Sequence, residues 1–264
     1  MTELQHLQKV ILDITKDIDK LCRDNDIDYH LIAGSAIGAI RHHGFIPWDD
    51  DLDIEMTPEN YYKFLDVCHK QLDKNKYYLQ EGLKDWPLDF SKIKLRGTKM
   101  VEPELYVNES GEEGIFVDIF RIDSAAPTSL GRRWQYICAK YRMCYLMSLR
   151  TYKSASLSKR LLIALSFPQR IGFIRKFFKN EVEKYNGRKT GWYGLLFGKT
   201  RYKTCFVRSE VVETSIRVPF EDTELPVPKL YDEYLTHLFG NYMQLPPVGQ
   251  RVGGHLISVD FGKY

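Results

Sequence analysis

The feature that most constrains this chain is a run of acids set into an apolar strand. Residues 44–56 read "GFIPWDDDLDIEM", with carboxylates at positions 49, 50, 51 and 53. Alternate residues of a strand point to the same face. Asp51 and Asp53 therefore project together, while Leu52 and Ile54 enter the core. Parallel carboxylates repel each other, and a hard divalent cation with oxygen ligands makes the arrangement favourable. The simpler alternative is a solvated acidic turn.

A third carboxylate lies further along the chain in "GIFVDIF", where Asp118 stands between Val117 and Ile119. A lone acid inside an apolar strand is costly to bury unless it has a partner. Asp118 is therefore a candidate for a third metal ligand beside Asp51 and Asp53, and Mg²⁺ or Mn²⁺ is the expected ion. Asp118 also fits a strand-end or capping acid.

A phosphate-binding helix start is predicted upstream, in "AGSAIGAIR". Gly34 and Ser35 would lie where a strand passes into a helix, and the free amides of a helix N-terminus favour an anion. Arg41, late in that helix, is either a phosphate ligand or a cation that complements the helix C-terminus. In "SKIKLRGT", Lys92, Lys94 and Arg96 alternate on one face, which fits phosphate contact or an edge strand guarded by lysines.

The predicted elements begin with a helix from Thr2 to about Asp24, with a Thr2–Gln5 capping box. The strand "DYHLIAG", a short helix from Ser35 and the strand "DLDIEM" follow, and Thr57 and Pro58 begin the next helix. Further strands are "YYLQEG", "FSKIKLRG" and "GIFVDIF". Short strands and turns fill "IRVPFEDTELPVP", and a last helix runs from Pro228 to Gly240.

This order predicts an α/β (α+β) fold with a mixed sheet and flanking helices. We expect a catalytic core at residues 1–126, a basic helical insertion or second lobe at residues 127–203, and a segment at residues 204–264 that completes the core.

The charge is divided unequally along the chain. Residues 131–203 hold 18 Lys and Arg against two acids, a net of +16, and the rest has a net of −13. Lys and Arg interleaved with Leu, Ile and Phe suit an amphipathic surface on an anionic membrane. The alternative is that these helices pack on the acidic part. A nucleic-acid-binding protein is a further alternative, but the region has no recognition module, so no nucleic acid is expected.

Five scattered cysteines without a metal-type CxxC predict reduced thiols in a cytoplasmic protein. The N-terminus, with charges among its apolar residues, is not a signal peptide, and the longest apolar run, "LLIALSF", is too short to cross a bilayer.

The ordered set of Gly-Ser, helix, Asp-x-Asp strand and distant Asp resembles the nucleotidyltransferase fold of the DNA polymerase β type. The stretch "GSAIGAIRHHGFIPWDDDLDIEM" further resembles the signature of the LicD family, and "GIFVDIFRID", "VPFEDTELPVP" and "LFGNYMQLPP" agree with it in order. The resemblance covers the first 125 residues and the last 50 or so. Here "PPVGQRVGGH" replaces the acidic and basic residues that the family usually carries after its Pro-Pro pair.

The resemblance implies a metal-dependent transferase that moves phosphocholine from CDP-choline to a hydroxyl of a cell-surface glycan, such as a teichoic acid or lipopolysaccharide precursor. Asp118 would be the third metal ligand or the general base. Glu221 and Arg251, in family-like stretches, would bind the donor; the alternatives are a surface turn for Glu221 and, for Arg251 and His255, a role in ordering the tail. A lipid-linked acceptor would place the protein at the inner face of the cell membrane. The alternatives are transfer of ribitol phosphate, glycerol phosphate or a nucleotidyl group.

Overall fold

The computed structural model describes residues 1–101, 111–149, 156–196, 198, 200–253 and 258–264. Helix α1 (Glu3–Asp24) opens the chain, and its N-terminus carries the predicted capping box between Thr2 and Gln5. Its apolar stripe is buried, with Leu7, Ile11 and Ile14 almost fully inaccessible to solvent. Because the stripe recurs at helical spacing, α1 covers one face of the central sheet.

The central sheet has five strands, in the order β1-β2-β6-β4-β3. Their bounds are β1 (His30–Leu31), β2 (Asp53–Met56), β3 (Tyr77–Gln80), β4 (Ser91–Leu95) and β6 (Phe116–Arg121). Strands β2 and β6 are parallel, and the other pairs are antiparallel. The sheet is therefore mixed, as predicted.

Helix α2 (Ala33–His42) joins β1 to β2, and α3 (Pro58–Gln71) follows β2. The sequence prediction placed the end of a strand at Gly34, but α2 begins at Ala33, so Gly34 and Ser35 lie in its first turn. Ala33 has a φ of 47°. This left-handed backbone is unfavourable for alanine, and it turns the chain sharply from β1 into α2.

Strand β4 is an interior strand between β6 and β3, and all five of its residues are buried. An edge strand guarded by lysines is therefore excluded for this segment.

The basic segment contains α4 (Ser129–Met147), α5 (Leu157–Leu165), a 3-10 turn (Phe167–Arg170) and α6 (Gly172–Glu183). A small sheet joins β7 (Asp123–Ser124), β8 (Trp192–Gly194) and β9 (Phe206–Arg208). A second hydrophobic cluster lies under it, with Cys138, Val182 and Phe206 among its members. The segment is mostly helical, as predicted, and the division of the chain into three parts stays a prediction.

The C-terminal part returns to the central sheet. After α7 (Tyr202–Cys205) and α8 (Ser209–Val212), β10 (Ser215–Phe220) and β11 (Thr223–Pro228) form a hairpin, and α9 (Tyr231–Phe239) follows. The predicted helix start at Pro228 is wrong, because that residue still pairs with Ser215 in the hairpin. Strand β12 (Ser258–Asp260) pairs with β5 (Lys99–Val101).

These elements confirm the predicted α/β class. Within the residues that the structure describes, no helix combines the length and apolar character that crossing a membrane requires.

Candidate active site

A row of polar side chains crosses four strands of the central sheet. Asp53 of β2 pairs with Asp118 of β6, Asp118 pairs with Lys92 of β4, and Lys92 pairs with Gln80 of β3. Residues directly opposite one another in a sheet project to the same face. Two acids that are far apart in the chain, Asp53 and Asp118, therefore become neighbours through the parallel pairing of β2 and β6.

The acidic loop before β2 adds three more carboxylates. Oxygen atoms of Asp49, Asp50 and Asp51 lie within 4.8 Å of one another. The regular strand begins only at Asp53, yet Leu52 already accepts a hydrogen bond from the backbone amide of Asp118, with a nitrogen–oxygen distance of 3.1 Å. The loop is thus held against β6, and Asp49 and Asp51 lie near enough to Asp53 for their charges to act on it.

Asp53 is the electrostatic centre of this cluster. Burial, together with the charges of Asp51, Asp118 and Asp49, raises the pKa of Asp53 well above its usual range, and the Lys92 ammonium opposes this shift. Desolvation and like charges both disfavour an ionised carboxylate. A bound cation would offset both effects.

Ser35 supports this centre from α2. Its hydroxyl oxygen accepts a hydrogen bond from the backbone amide of Asp53 at 2.9 Å, and Ser35 itself is buried. Ser35 therefore fixes the start of β2, a role that the sequence did not predict. Its predicted phosphate contact stays a prediction.

Gly34 lies directly under the acidic loop. A Cβ atom added at this glycine would stand 2.6 Å from Oδ2 of Asp49. The missing side chain therefore leaves the space that the Asp49 carboxylate occupies, since real Cβ atoms do not approach an oxygen so closely.

Lys92 is almost completely buried, at 1% exposure. Its ammonium nitrogen lies 3.1 Å from Oδ1 of Asp118 and 3.4 Å from the centre of the Phe116 ring. The ring of Trp86 is 5.2 Å away. An aromatic face and a carboxylate are partners that compensate a buried cation. The structure thus places Lys92 beside the predicted metal ligand Asp118.

The other two residues of this alternating set differ from Lys92. Lys94 is also buried, and it lies opposite Tyr78 and Phe116. Arg96 follows the strand, donates to the carbonyl of Tyr77 at 3.2 Å and pairs with Glu112. The phosphate contact predicted for Lys94 stays a prediction.

Arg41 and Arg251 lie near enough to each other for their charges to interact, and Arg251 lies beside Trp48 at the start of the acidic loop. Arg41 donates to the carbonyl of Tyr242 at 2.7 Å. Burial and the nearby charge of Arg251 lower the pKa of Arg41. The guanidinium of Arg251 lies 5.6 Å from the centre of the Trp48 ring. Guanidinium groups held near one another can bind an anion, and their planar geometry suits phosphate. The phosphate contacts predicted for Arg41 and Arg251 stay predictions.

Residues 251–253, near the C-terminus, pack beside the acidic loop. A Cβ atom at Gly253 would stand 3.0 Å from the carbonyl of Trp48 and 3.1 Å from Oδ2 of Asp50. Residues 251–253 therefore lie against the acidic loop. His255, noted in the sequence for its family-like position, lies outside the described residues.

Glu221 lies at the tip of the β10–β11 hairpin and reaches back to the loop before the acids. Its carboxylate accepts a hydrogen bond from the backbone amide of Phe45 at 3.0 Å, and its own amide donates to the carbonyl of His43 at 2.7 Å. A Cβ atom at Gly44 would overlap this carboxylate. Glu221 thus orders the segment that leads into the acidic loop, and its predicted donor contact stays a prediction.

A cleft of about 280 Å³, which was not predicted from the sequence, lies at the other end of β1 and β2. Glu55, Tyr193 and Glu213 are among its lining residues. Glu55 is buried, and one of its oxygens lies 2.9 Å from both the His30 ring nitrogen and the Tyr234 hydroxyl. Glu55 follows Asp53 by two residues on β2, so both side chains project to the same side of the strand. The cleft therefore continues the polar side of β2 beyond Asp53.

The donor set fits a hard divalent cation. The site offers carboxylate oxygens, and such ligands suit Mg²⁺ or Mn²⁺. The sequence pattern predicted Asp51, Asp53 and Asp118 as ligands and assigned no role to Asp49 or Asp50. The run of three aspartates was the available signal for both.

Two acids on neighbouring parallel strands, Asp53 and Asp118, with the acidic loop and the first turn of α2 beside them, form an arrangement typical of the nucleotidyltransferase fold. Residues 26–157 match the model of the LicD/FKTN/FKRP family, described as its nucleotidyltransferase domain. The chain therefore belongs to the LicD family, as its motifs predicted.

Individual relatives agree with this assignment. The chain is 28% identical over 264 residues to the lipopolysaccharide cholinephosphotransferase LicD of Haemophilus influenzae, covering 96% of each chain. Two shorter matches are uncharacterised proteins of Rickettsia. The match in Rickettsia typhi is 41% identical over 54 residues, which are 20% of this chain and 18% of the relative. The match in Rickettsia prowazekii is 45% identical over 47 residues, 18% of each chain.

Proposed function

We propose that this protein is a metal-dependent transferase that moves phosphocholine from CDP-choline to a hydroxyl group of a glycan, such as a lipopolysaccharide or teichoic acid precursor. The observation that carries the proposal is the row in which Asp53 and Asp118 meet beside the acidic loop. The full-length similarity to a cholinephosphotransferase supports the choice of head group.

In the proposed reaction, the acceptor hydroxyl oxygen attacks the β-phosphorus of the donor. The bond from that phosphorus to the bridging oxygen breaks, and CMP leaves with the electron pair. The acceptor hydroxyl releases its proton to solvent water as the new phosphorus–oxygen bond forms. Because the chemistry depends on positioning and charge, the protein's main task is to hold the phosphates in line with the acceptor.

The carboxylates Asp51, Asp53 and Asp118 would hold Mg²⁺ or Mn²⁺, with Asp49 and Asp50 close enough to contribute. When bound, the ion would neutralise charge on the phosphate oxygens. The contact between Asp118 and Lys92, at 3.1 Å, supports the ligand role for Asp118 over that of general base. A carboxylate paired with an ammonium group is a poorer proton acceptor.

Arg41 and Arg251 would bind the donor phosphates at the corner beside the loop. Their proximity, with each guanidinium also anchored to a backbone carbonyl, supports this role. The amides at Gly34 and Ser35, in the first turn of α2, would contribute to the same anion site.

We further propose that the protein acts in the cytoplasm, at the inner face of the cell membrane, on an acceptor glycan carried by a lipid. The distribution of charge along the chain supports this placement, since an anionic leaflet attracts basic segments.

The test is a panel of donors with Mg²⁺, in which the released products are identified. CDP-choline should release CMP, while CDP-glycerol, CDP-ribitol, UDP-sugars and GDP-sugars should react more slowly. Faster release from CDP-ribitol or CDP-glycerol would change the assigned head group. Release of phosphocholine, with CMP left on the acceptor, would indicate nucleotidyl transfer.

Within this test, Asp53→Asn should lower turnover at least about a hundredfold, because it removes a charge from the centre of the proposed metal site. Asp13→Asn, an exposed acid on α1, is the matched control and should be normal. Undiminished turnover in Asp53→Asn, or in excess EDTA, would contradict the metal assignment.

A further inference from the structure

A continuous stretch of the basic segment leaves large apolar side chains in solvent. Eight such residues fall between positions 157 and 177, and each is between 50% and 78% exposed. They are Leu157, Leu161, Leu162, Leu165, Phe167, Ile171, Phe173 and Phe177. Single exposed apolar residues are ordinary. Eight within 21 positions mark a surface that another apolar phase covers.

The spacing of these apolar residues places most of them along one side of α5 and one side of α6. Leu157, Leu161 and Leu165 follow one another at intervals of four on α5, and Phe173 and Phe177 do so on α6. Residues four apart in a helix are neighbours on one side. Each helix therefore presents an apolar stripe to solvent, and the 3-10 turn with Phe167 joins the two helices.

Other side chains hold these helices to the fold. The Tyr141 hydroxyl donates to the carbonyl of Leu165 at 3.0 Å, and the Tyr141 ring lies 4.6 Å from that of Phe178. Gln169 is buried and donates to the carbonyl of Tyr141 at 2.8 Å. Residues 157–177 are thus anchored from one side while their apolar stripes face away.

The charge on this stretch has one sign. Residues 157–180 contain no acid, and Arg160, Arg170, Arg175 and Lys176 are exposed. The first acids that follow are engaged on other elements. Glu181 accepts from the Trp134 indole at 2.7 Å, and Glu183 pairs with Arg121 at 2.9 Å.

A different group of basic residues packs on the acidic part of the chain. Arg142 of α4 makes a buried, two-point ion pair with Asp89, at 2.7 and 2.9 Å. Packing therefore explains one side of the basic segment. It does not cover the exposed apolar stripes of residues 157–177, where one basic residue, Arg175, also donates to the Tyr145 hydroxyl at 3.0 Å.

We propose that residues 157–177 form a docking surface for an anionic lipid bilayer. Leucine and phenylalanine would enter the boundary between head groups and acyl chains, and arginine and lysine would lie at the level of the lipid phosphates. We choose a bilayer over a protein partner because the exposed apolar side chains are flanked by lysine and arginine and by no acid. This arrangement matches a membrane surface, in which acyl chains are flanked by negatively charged lipid phosphates. This inference does not depend on which head group the enzyme transfers.

The test is sedimentation of the purified protein with vesicles, without donor or acceptor. The vesicles are phosphatidylcholine alone, or phosphatidylcholine mixed with phosphatidylglycerol. The wild type should bind the mixed vesicles at least about tenfold more strongly at low salt, and high salt should release it.

Two variants separate the apolar and charged contributions. Leu161→Gln/Leu165→Gln/Phe173→Gln should lower binding at least about tenfold, and Arg170→Gln/Lys176→Gln should do so by a similar factor. The matched apolar control is Leu83→Gln/Leu230→Gln/Phe239→Gln, three exposed residues elsewhere, and it should bind normally. Lys74→Gln/Lys229→Gln is the matched charge control. Circular dichroism confirms that each variant is folded.

The outcomes are distinct. A wild type that stays in solution with both kinds of vesicle overturns the proposal, and so does equal loss of binding in the test and control variants. A wild type that forms a dimer, which the triple apolar variant breaks while vesicle binding stays absent, would assign this surface to a second copy. Failure of CMP release from CDP-choline affects only the proposed function, because vesicle binding is measured without substrate.

Discussion

Lys92 shows how a single buried charge organises the acidic row. The side chain enters from β4 with its ammonium between the Asp118 carboxylate and the face of Phe116. Its position leaves little access for a substrate, because the residue is 1% exposed. We therefore expect Lys92 to act by holding Asp118, rather than by touching the donor.

Replacing Lys92 by methionine should lower the free energy of unfolding by about 3 kcal/mol, since Asp118 would lose the cation of a buried pair. The double variant Lys92→Met/Asp118→Asn should recover part of this loss, because its partner is then neutral. Urea unfolding measures all three proteins. If Lys92→Met unfolds like the wild type but its KM for the donor rises, Lys92 binds phosphate instead.

The close contact between Gly34 and the Asp49 carboxylate leads to a second prediction about a single residue. In Gly34→Ala the new methyl group would displace the Asp49 carboxylate, which ends a side chain and can move. Affinity for Mg²⁺ should therefore fall several-fold while stability changes by less than about 1 kcal/mol. Metal titration of activity compares it with Gly172→Ala, where an added Cβ meets nothing. Equal metal affinity in both variants would show that Asp49 lies outside the metal site.

The local sequence pattern predicted the carboxylates of the site, but it could not predict the buried environment of Lys92. Asp51 and Asp53 follow from alternation along one strand, and Asp118 follows from an acid among apolar residues. The burial of Lys92 depends on the pairing of β4 between β6 and β3, which is a non-local property. The same lysine spacing on an edge strand would face solvent.

At the scale of the elements, the β10–β11 hairpin acts as a brace. Its tip residue Glu221 has a φ of 53°, and both its amide and its carboxylate bind the loop after α2. A left-handed residue other than glycine carries strain that surrounding contacts must offset. The two hydrogen bonds to residues 43 and 45 provide those contacts.

Glu221→Ala should lower the free energy of unfolding by about 1 to 2 kcal/mol, because the Phe45 amide loses its acceptor. Glu221→Gln keeps a side-chain oxygen and should lose much less. Glu224→Ala, an exposed glutamate of the same hairpin, is the control. Stability equal to wild type in Glu221→Ala, with a raised KM for CDP-choline in Glu221→Gln, would favour direct donor contact.

Elements with local signals were predicted well. Helix α1 combines a capping box with a long apolar stripe, and α3 begins with Thr57 and Pro58 as expected. The start of α2 was misplaced because Ala33 adopts a left-handed backbone that its residue type does not suggest. Strand β12 was missed, since three residues become a strand only by pairing with distant β5.

The whole molecule keeps its cysteines away from solvent. Cys22, Cys68, Cys138 and Cys205 are buried, and Cys144 is half-buried. Burial raises the pKa of Cys68, Cys138 and Cys205 to about 12. Because the thiolate is the reactive form, these groups should be inert in the folded protein.

We expect iodoacetamide at mildly alkaline pH to label Cys144 first, and the other four only after unfolding in urea. Mass spectrometry of peptides identifies the labelled positions, and Cys144→Ser should abolish the early label. Early labelling of Cys205 would show that the second hydrophobic cluster opens readily in the native protein.

The two charged regions that composition distinguished are joined through buried contacts. Arg142 donates to the carboxylate of Asp89, and Gln135 of α4 donates to the carbonyl of Ser124. The charge count along the sequence identified the basic region. It could not show which cations pack inward and which face solvent, because that choice depends on the tertiary position of each helix.

The parallel pairing of β2 and β6 also has a kinetic consequence. Strand β2 leaves the ribosome well before β6, so a growing chain carries its acidic loop without the opposite strand. Closure of this long segment belongs to the slow, non-local part of folding. A cation that requires both strands would bind only the completed fold, and by mass action it would raise the melting temperature as its concentration rises. Cellular magnesium would then influence how much of the newly made chain survives, in addition to its proposed role in turnover.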